Sequence, residues 1–382
     1  MPVMLPTLQV ATQQCAEPDS TRHRAGGSAR PDITPTSVRG LVHMSESPES
    51  REIRQSRQTR HIPVMVPEVL SALEIKTGGS YIDANLGEGG HTEAILRASS
   101  ADGSVLGIDA DTEAIESAVA RLSAISTEFA SGLTTANANF RDIKSVASEN
   151  GLGEASVDGI LFDLGLSSLQ LDTESRGFSF RRADPLDMRF DLRQTTTAAD
   201  IVNQYDRDDL ADVIYQYGEE RASRRIAAAI VAARPIQTAI QLADVIAGAM
   251  PGSKSSAKPS SKSGRGGPRR IHPATKTFQA LRIAVNDELG ALETGLEAAM
   301  SLLKSGGRLV VIAYHSLEDR IVKNLFRREA TNCICPPERP ICDCGHTASI
   351  RLTPRRVIKP SQAEIDGNHR SRSARLRAVE RL

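Results

Sequence analysis

The chain has 382 residues, 40% of them hydrophobic and 25% charged, with a formal net charge of zero. That length holds one large or two average domains with a sizeable core, and a neutral total excludes bulk charge as an argument for any partner. No apolar run approaches the ~20 residues that span a bilayer. The N-terminus lacks the basic start, apolar stretch and small-residue cleavage site of a secretory signal, so neither a membrane nor export is expected.

Residues 1–58 are rich in Pro, Ser, Thr, Gln and Arg without sustained periodicity, which predicts a disordered extension in which Met44 offers an alternative start. From residue 59 a domain begins. Tyr81-Ile-Asp-Ala-Asn-Leu-Gly87 predicts a strand and turn, with a helix from about His91, and Ser104–Asp109 a second strand. Asp111 or Thr112 then caps a helix with apolar positions Ile115, Val119 and Leu122. A third strand fits Thr134–Ala138 and a fourth Val157–Asp163. Strands alternating with helices imply an α/β fold with a doubly wound, mostly parallel sheet.

The alternation stops near residue 165. Residues 166–250 predict an inserted helical domain, with Ala-rich stretches such as Arg225–Arg234, and 251–270 a flexible Ser/Lys/Gly linker. Residues 271–382 resume the first domain and end in a basic tail. One long helix is expected from about Pro273, with Phe278, Leu281, Val285, Leu292, Leu296 and Leu303 on its buried face and Gly306-Gly307 as its stop. Arg308–Ala313 reads as a buried strand, and Ser316 as the start and cap of a further helix, leaving His315 open.

Candidate chemistry gathers at three places. Asp83-Ala-Asn-Leu-Gly87-Glu-Gly89-Gly90-His91 is a glycine-rich strand-to-helix turn through which a ligand can approach the backbone. Asp109 ends the next strand 22 residues after Gly87, where a carboxylate can accept both hydroxyls of a ribose. The pair suits any adenosine cofactor. G-x-G-G spacing departs from the G-x-G-x-x-G of dinucleotide sites, so S-adenosylmethionine is favoured over a nicotinamide. Asp163-Leu-Gly-Leu-Ser-Ser168-Leu-Gln170 follows the fourth strand, where ligands of doubly wound sheets sit. Tyr314-His315-Ser316-Leu-Glu318-Asp319-Arg320 follows a buried strand, and His315 there can accept a proton or orient a base.

Other features point outward. Between Ser253 and Asn286 lie eight Lys or Arg and no carboxylate, and from Arg351 to Leu382 nine against three acids; both stretches suit phosphate. Arg189, Arg270, His272, Lys276 and Arg282 are read as phosphate-binding or loop-positioning residues. Aromatic residues are 3% of the chain, which makes Phe178, Phe180 and Phe278 candidates for stacking on a base as well as for core packing. Four of the five cysteines cluster at Cys333, Cys335, Cys342 and Cys344. This is not a spread disulfide framework and is read as a sign of a reducing cytoplasm. The cluster suits a structural zinc ion, although C-x-C pairs are tighter than the common C-x-x-C, and reduced surface thiols are the alternative.

Several of these motifs recur together in a known order. His61-Ile-Pro-Val-Met-Val-Pro-Glu68, Asp83 to His91, Asp158-Gly-Ile-Leu-Phe-Asp-Leu-Gly-Leu-Ser-Ser168, Arg176-Gly-Phe-Ser-Phe180, Asp184-Pro-Leu-Asp-Met-Arg189, Tyr217-Gly-Glu-Glu-Arg221, His272 to Arg282 and His315 to Arg320 resemble the RsmH (MraW) family of bacterial 16S ribosomal RNA cytosine N4-methyltransferases. The resemblance runs from about residue 59 to the C-terminus. It implies a Rossmann-like class I methyltransferase domain with an inserted substrate-recognition domain. The cofactor contacts it implies are Gly89, Gly90 and His91 at the methionine part, Asp109 at the ribose, Phe140 beside the adenine, and Asp163 with Gln170 completing the pocket. The implied partner is 16S rRNA in the decoding region of the small subunit; a homodimer is left open.

Either Asp163 or His315 is expected to accept a proton from the target amine, whose lone pair is delocalised into the pyrimidine ring. Two other readings stand beside this one. A DNA amino-methyltransferase usually carries Asp/Asn-Pro-Pro-Tyr/Phe after the fourth strand, and Asp163-Leu-Gly-Leu166 differs. A non-catalytic assembly factor on a decayed fold fits poorly with intact Gly89, Gly90, Asp109 and Asp163.

Overall fold

A computed structural model describes residues 62–382 except 101, 174, 251–271, 337 and 340. The expected extension (1–58), the linker (251–270), His61 and Arg270 lie outside the described residues. Seven strands form one sheet: β1 (Ser80–Asp83), β2 (Ser104–Asp109), β3 (Leu133–Asn137), β4 (Val157–Asp163), β5 (Leu303–Ala313), β6 (Ile350–Leu352) and β7 (Arg375–Arg381). Their order is β3-β2-β1-β4-β5-β7-β6. The first five run parallel and β7 is antiparallel to both neighbours. This is the expected doubly wound, mostly parallel sheet. Among the described residues, no helix is long and apolar enough to cross a membrane.

The helices are α1 (Val66–Leu73), α2 (Gly90–Ser99), α3 (Thr112–Ile125), α4 (Thr127–Gly132), α5 (Ile143–Glu149), α6 (Ser168–Asp172), α7 (Ala198–Gln204), α8 (Arg207–Gly218), α9 (Ser223–Ala232), α10 (Ala239–Ala249), α11 (Thr275–Asn286), α12 (Glu288–Leu302), α13 (Ser316–Glu329) and α14 (Gln362–Gly367). Strand residues alternate between two cores, as a period of two requires. Ile82, Phe162, Leu309 and Val311 pack with α5, α12 and α13 on one face. Tyr81, Leu161, Val310 and Ile312 pack with α1 and α2 on the other. Burial on both faces is why β4 and β5 read as unbroken apolar runs.

A third core, built by α7 to α11 and the irregular segment before them, holds the helical part together. Here the structure departs from the expected boundaries. The long helix breaks at Asp287 (φ +46°) into α11 and α12. Phe278, Leu281 and Val285 of α11 belong to the helical core, whereas Leu292 and Leu296 of α12 belong to the sheet core. The expected return to the first domain at 271 therefore falls after α11. Among the described residues of 173–197 there is no helix. Leu303 and Gly306-Gly307 lie inside β5, beside a register shift against β4. The buried face of α3 is Ala114, Ala118 and Leu122, with Val119 exposed, and the start of α2 packs closely on Ala118 and Leu122. The basic tail is built into the sheet: Arg375 and Arg377 both donate to Asp319 on α13, at 2.9 and 2.7 Å.

Candidate active site

The sheet order reverses between β1 and β4, and at such a switch point the loops beyond the carboxyl ends of the strands part to leave a crevice. The loops after β1, β2, β4 and β5 enclose a cavity of about 430 Å³, within the range of small-molecule sites. Asn85, Gly87, Asp109, Phe140, Asp163 and Tyr314 are among its walls.

At one end stands Asp109. Its carboxylate accepts N–H bonds from Gly87 (2.8 Å) and Asp111 (2.9 Å), which leaves further lone pairs for hydroxyl donors. Burial pushes its pKa up to about 6, although these N–H donors act in the opposite sense. Gly87 has φ +51°, and nothing lies nearer than 3.9 Å to where its side chain would begin. Phe140 meets Phe162 edge-on, with centroids 5.6 Å apart, and gives this end an apolar wall.

The expected roles of the next two glycines separate. A Cβ on Gly89 would stand 3.2 Å from Ala118 and Leu122, so this glycine serves the packing of α2 on α3, and it does not line the cavity. Gly90 does line it, but a Cβ there would meet Pro63 at 2.9 Å. Gln170 lines the cavity too. It closes a capping box with Ser167 at the start of α6 and donates to Asp111 at 3.1 Å. Asp111 also receives Arg176 at 3.0 Å, and both partners are buried.

The other end is a chain of titratable groups. His91, 5% exposed, holds Nε2 3.3 Å from Asp163 Oδ2, and neither ring nitrogen has an aligned hydrogen-bond partner. Burial works to lower the His91 pKa, but the Asp163 and Asp83 carboxylates outweigh it and raise it. Tyr314 donates its hydroxyl to Asp163 Oδ1 at 2.8 Å. Burial, reinforced by the Asp163 charge, holds that phenol well above its ordinary pKa, so it stays a donor. Asp83 is 1% exposed and off the cavity wall. It accepts the Thr92 hydroxyl (2.7 Å) and the Asn85 N–H (3.3 Å).

His315 is not left open, and Ser316 does not cap. His315 is itself the N-cap of α13: its Nδ1 accepts from Glu318 N–H at 3.4 Å, and Glu318 Oε2 accepts from His315 N–H at 3.1 Å. Its Nε2 lies 3.0 Å from Glu318 Oε1. The Ser316 hydroxyl donates to Glu219 instead. Burial would raise the Glu318 carboxyl, but His315 and Arg282 hold it below the usual range. Arg282 forms a two-pronged pair with Glu288, at 2.7 and 2.8 Å, and both line the cavity. Arg189 is likewise committed to Asp187. These two arginines position loops. Lys276 donates to the Glu219 carbonyl at 3.0 Å.

All three phenylalanines line the cavity; Phe178 and Phe278 are also buried in the helical core, while Phe180 is partly exposed and stacks on His272 with centroids 4.6 Å apart. The cavity thus brings together Gly90, His91, Asp109, Phe140, Asp163, Gln170 and His315, but not Gly89. Asn85 and Asn286 were not singled out from the sequence. Asn85 Oδ1 is buried and unpartnered on the cavity wall, and a single Asn inside a glycine motif carries no signal of its own. Asn286 ties the Met188–Phe190 segment to α11 by bonds of 2.8 and 2.7 Å, a role visible only in three dimensions.

A model of the MraW methylase family matches residues 58–382. The chain is 53% identical over 322 residues to the ribosomal RNA small subunit methyltransferase H of Dehalococcoides mccartyi, covering 84% of this chain and 86% of that one. It is 51% identical over 327 residues to the protein of the same name from Thermomicrobium roseum (85% and 94% covered). It is 49% identical over 326 residues to that of Geobacter sulfurreducens (84% and 99%). A match that runs through sheet and helical part alike, with about half of the aligned positions identical, leaves one conclusion: the chain belongs to the MraW methylase family and is a methyltransferase.

Proposed function

We propose that this chain methylates the exocyclic N4 amine of a cytidine in the decoding region of 16S ribosomal RNA, acting on the small subunit in the cytoplasm. The relatives named as small-subunit ribosomal RNA methyltransferases support the substrate class. The observation that carries the chemistry is the crevice with a carboxylate and an aromatic wall at one end and the His91–Asp163–Tyr314 chain at the other.

S-adenosylmethionine is the methyl donor, and its sulfonium supplies a methyl that is already electrophilic. The residues present fit it: Asp109 has lone pairs for the ribose hydroxyls, Phe140 offers an apolar wall for the adenine, and the unpartnered Asn85 Oδ1 and His91 nitrogens are open to the amino-acid end. The protein's task is then to place N4 in line with that methyl, since proximity supplies much of the rate.

Asp163 is proposed to accept an N4 proton and restore the amine's lone pair. Tyr314 fixes one carboxylate oxygen and His91 flanks the other, which orients the acceptor. His315 is proposed as a positioning residue, because its Nδ1 lone pair is spent on the helix cap.

Small subunits from a strain lacking the gene serve as substrate for wild type, Asp163→Ala and His315→Ala, with cofactor binding measured separately by calorimetry. Asp163→Ala is expected to lose at least ~100-fold in methyl transfer while retaining cofactor binding. Normal turnover removes Asp163 from the mechanism. Nucleoside mass spectrometry of the 16S RNA tests the substrate: an unchanged cytidine methylation pattern in the deletion strain refutes it.

A further inference from the structure

The segment between α13 and β6, residues 330–349, takes no part in the proposed methyl transfer. It contains no helix or strand among its described residues and no apolar core: Ile334 is 50% exposed and Ile341 78%. Its base is clamped. Ser349 N–H donates to the Glu329 carbonyl (2.9 Å), Ala348 N–H to Asn332 Oδ1 (3.0 Å), and His346 Nε2 lies 3.0 Å from the Arg328 carbonyl. These bonds fix where the segment leaves and rejoins the fold. They do not fix its tip, and long structureless segments in a compact domain need a cause.

At the tip four sulfurs converge. Cys342 Sγ is 3.5 Å from Cys344 Sγ, Cys344 Sγ is 3.9 Å from Cys333 Sγ, and Cys335 Sγ is 4.0 Å from Cys342 Sγ. All four lie within 4.8 Å of one another. Four thiolates around zinc, each at about 2.3 Å, form a tetrahedron whose edge is about 3.8 Å. The three separations scatter about that edge. They are far from the ~2.05 Å of a disulfide. The Cys335 N–H, 3.4 Å from Cys333 Sγ, adds a donor of the kind that stabilises a thiolate. Gly345, at φ +60°, turns the chain directly after the last cysteine. Without a cation, four ionised sulfurs at this spacing repel one another. With one dication, the same spacing becomes attractive.

We propose that Cys333, Cys335, Cys342 and Cys344 bind one zinc ion. With four protein ligands the site keeps no open position, so it is structural rather than catalytic. It holds the tip of a segment that joins the end of α13 to the sheet edge at β6, where apolar burial provides no hold.

The test uses untagged full-length protein, so that no affinity resin or tag supplies metal. Elemental analysis is expected to give one zinc per chain, and titration with an organomercurial to release it as the four clustered thiols react, Cys15 being the fifth thiol of the chain. Cobalt-exchanged protein is expected to show the ligand-field bands of a tetrahedral tetrathiolate. Cys342→Ser with Cys344→Ser is expected to abolish zinc retention and lower the unfolding midpoint. If that variant aggregates, mercurial release from the wild type still decides. Zinc well below one per chain after zinc loading and dialysis overturns the proposal. So do disulfides in the non-reduced protein, or iron in place of zinc.

Discussion

Asp83 offers a quantitative test of how the crevice is stabilised. It is 1% exposed at the end of β1, and burial pushes its carboxyl up to about 6 from an ordinary 3.8, against the pull of His91, Thr92 and the Asn85 N–H. A carboxyl whose pKa is raised on folding favours the fold only while it is protonated. That contribution is complete below the unfolded value near 3.8 and lost as pH rises through about 6. At 1.36 kcal/mol per unit, ionised Asp83 costs the fold about 3 kcal/mol at pH 8 and about 1.6 kcal/mol at pH 5. Asp83→Asn keeps an acceptor for Thr92 and never ionises. It is therefore expected to be more stable than wild type by up to those amounts, with a gap that widens by about 1.4 kcal/mol between pH 5 and pH 8. Asp83 is also one of the carboxylates that raise the His91 pKa. Urea denaturation of both proteins at pH 5, 6.5 and 8 reads the gap. A gap that is flat or shrinks with pH refutes the reasoning.

Tyr314→Phe removes a single hydrogen bond to a charged acceptor, worth roughly 1.5–3 kcal/mol. The expected result is a ten- to hundredfold slower single-turnover methyl transfer to small subunits, and an unchanged rate excludes the tyrosine from the mechanism. Arg176→Met strands Asp111 in a buried site together with the Arg189 and Phe190 carbonyls that Arg176 also donates to, at a cost of about 3–5 kcal/mol. Adding Asp111→Asn removes the unpaired charge and is expected to recover most of that loss in a denaturation cycle; strictly additive single effects would show that the pair is not coupled.

Much of the sheet was readable because its strands are buried on both faces. Val157–Asp163 and Ser104–Asp109 are apolar runs ending in carboxylates, and the structure starts and stops both strands at those residues. Helix ends were less readable where the capping residue is unusual. The common caps are Ser, Thr, Asp and Asn, so Ser316 attracted the role. The partner at N3 was the better guide: Glu318 stands three residues after His315, not after Ser316, and the reciprocal bonds follow that spacing. Composition alone did not separate the tail's arginines: Arg375 and Arg377 are strand residues whose charges meet Asp319, distant in sequence.

The break at Asp287 was hidden, because only an Asn-Asp pair that tolerates positive φ marks it and the apolar spacing of Phe278, Leu281 and Val285 continues in phase to Leu292 and Leu296. Yet that break decides how the site is assembled. It lets α11 remain in the helical core while α12 packs on the sheet, and the Arg282–Glu288 pair spans the joint. Thr275, Phe278, Gln279 and Arg282 of α11 line the same cavity as Asp109 and Asp163. The crevice is therefore not a property of the sheet alone. Side chains of the helical part meet the carboxyl ends of the strands there, and the Arg282–Glu288 pair ties α11 to α12 at that corner.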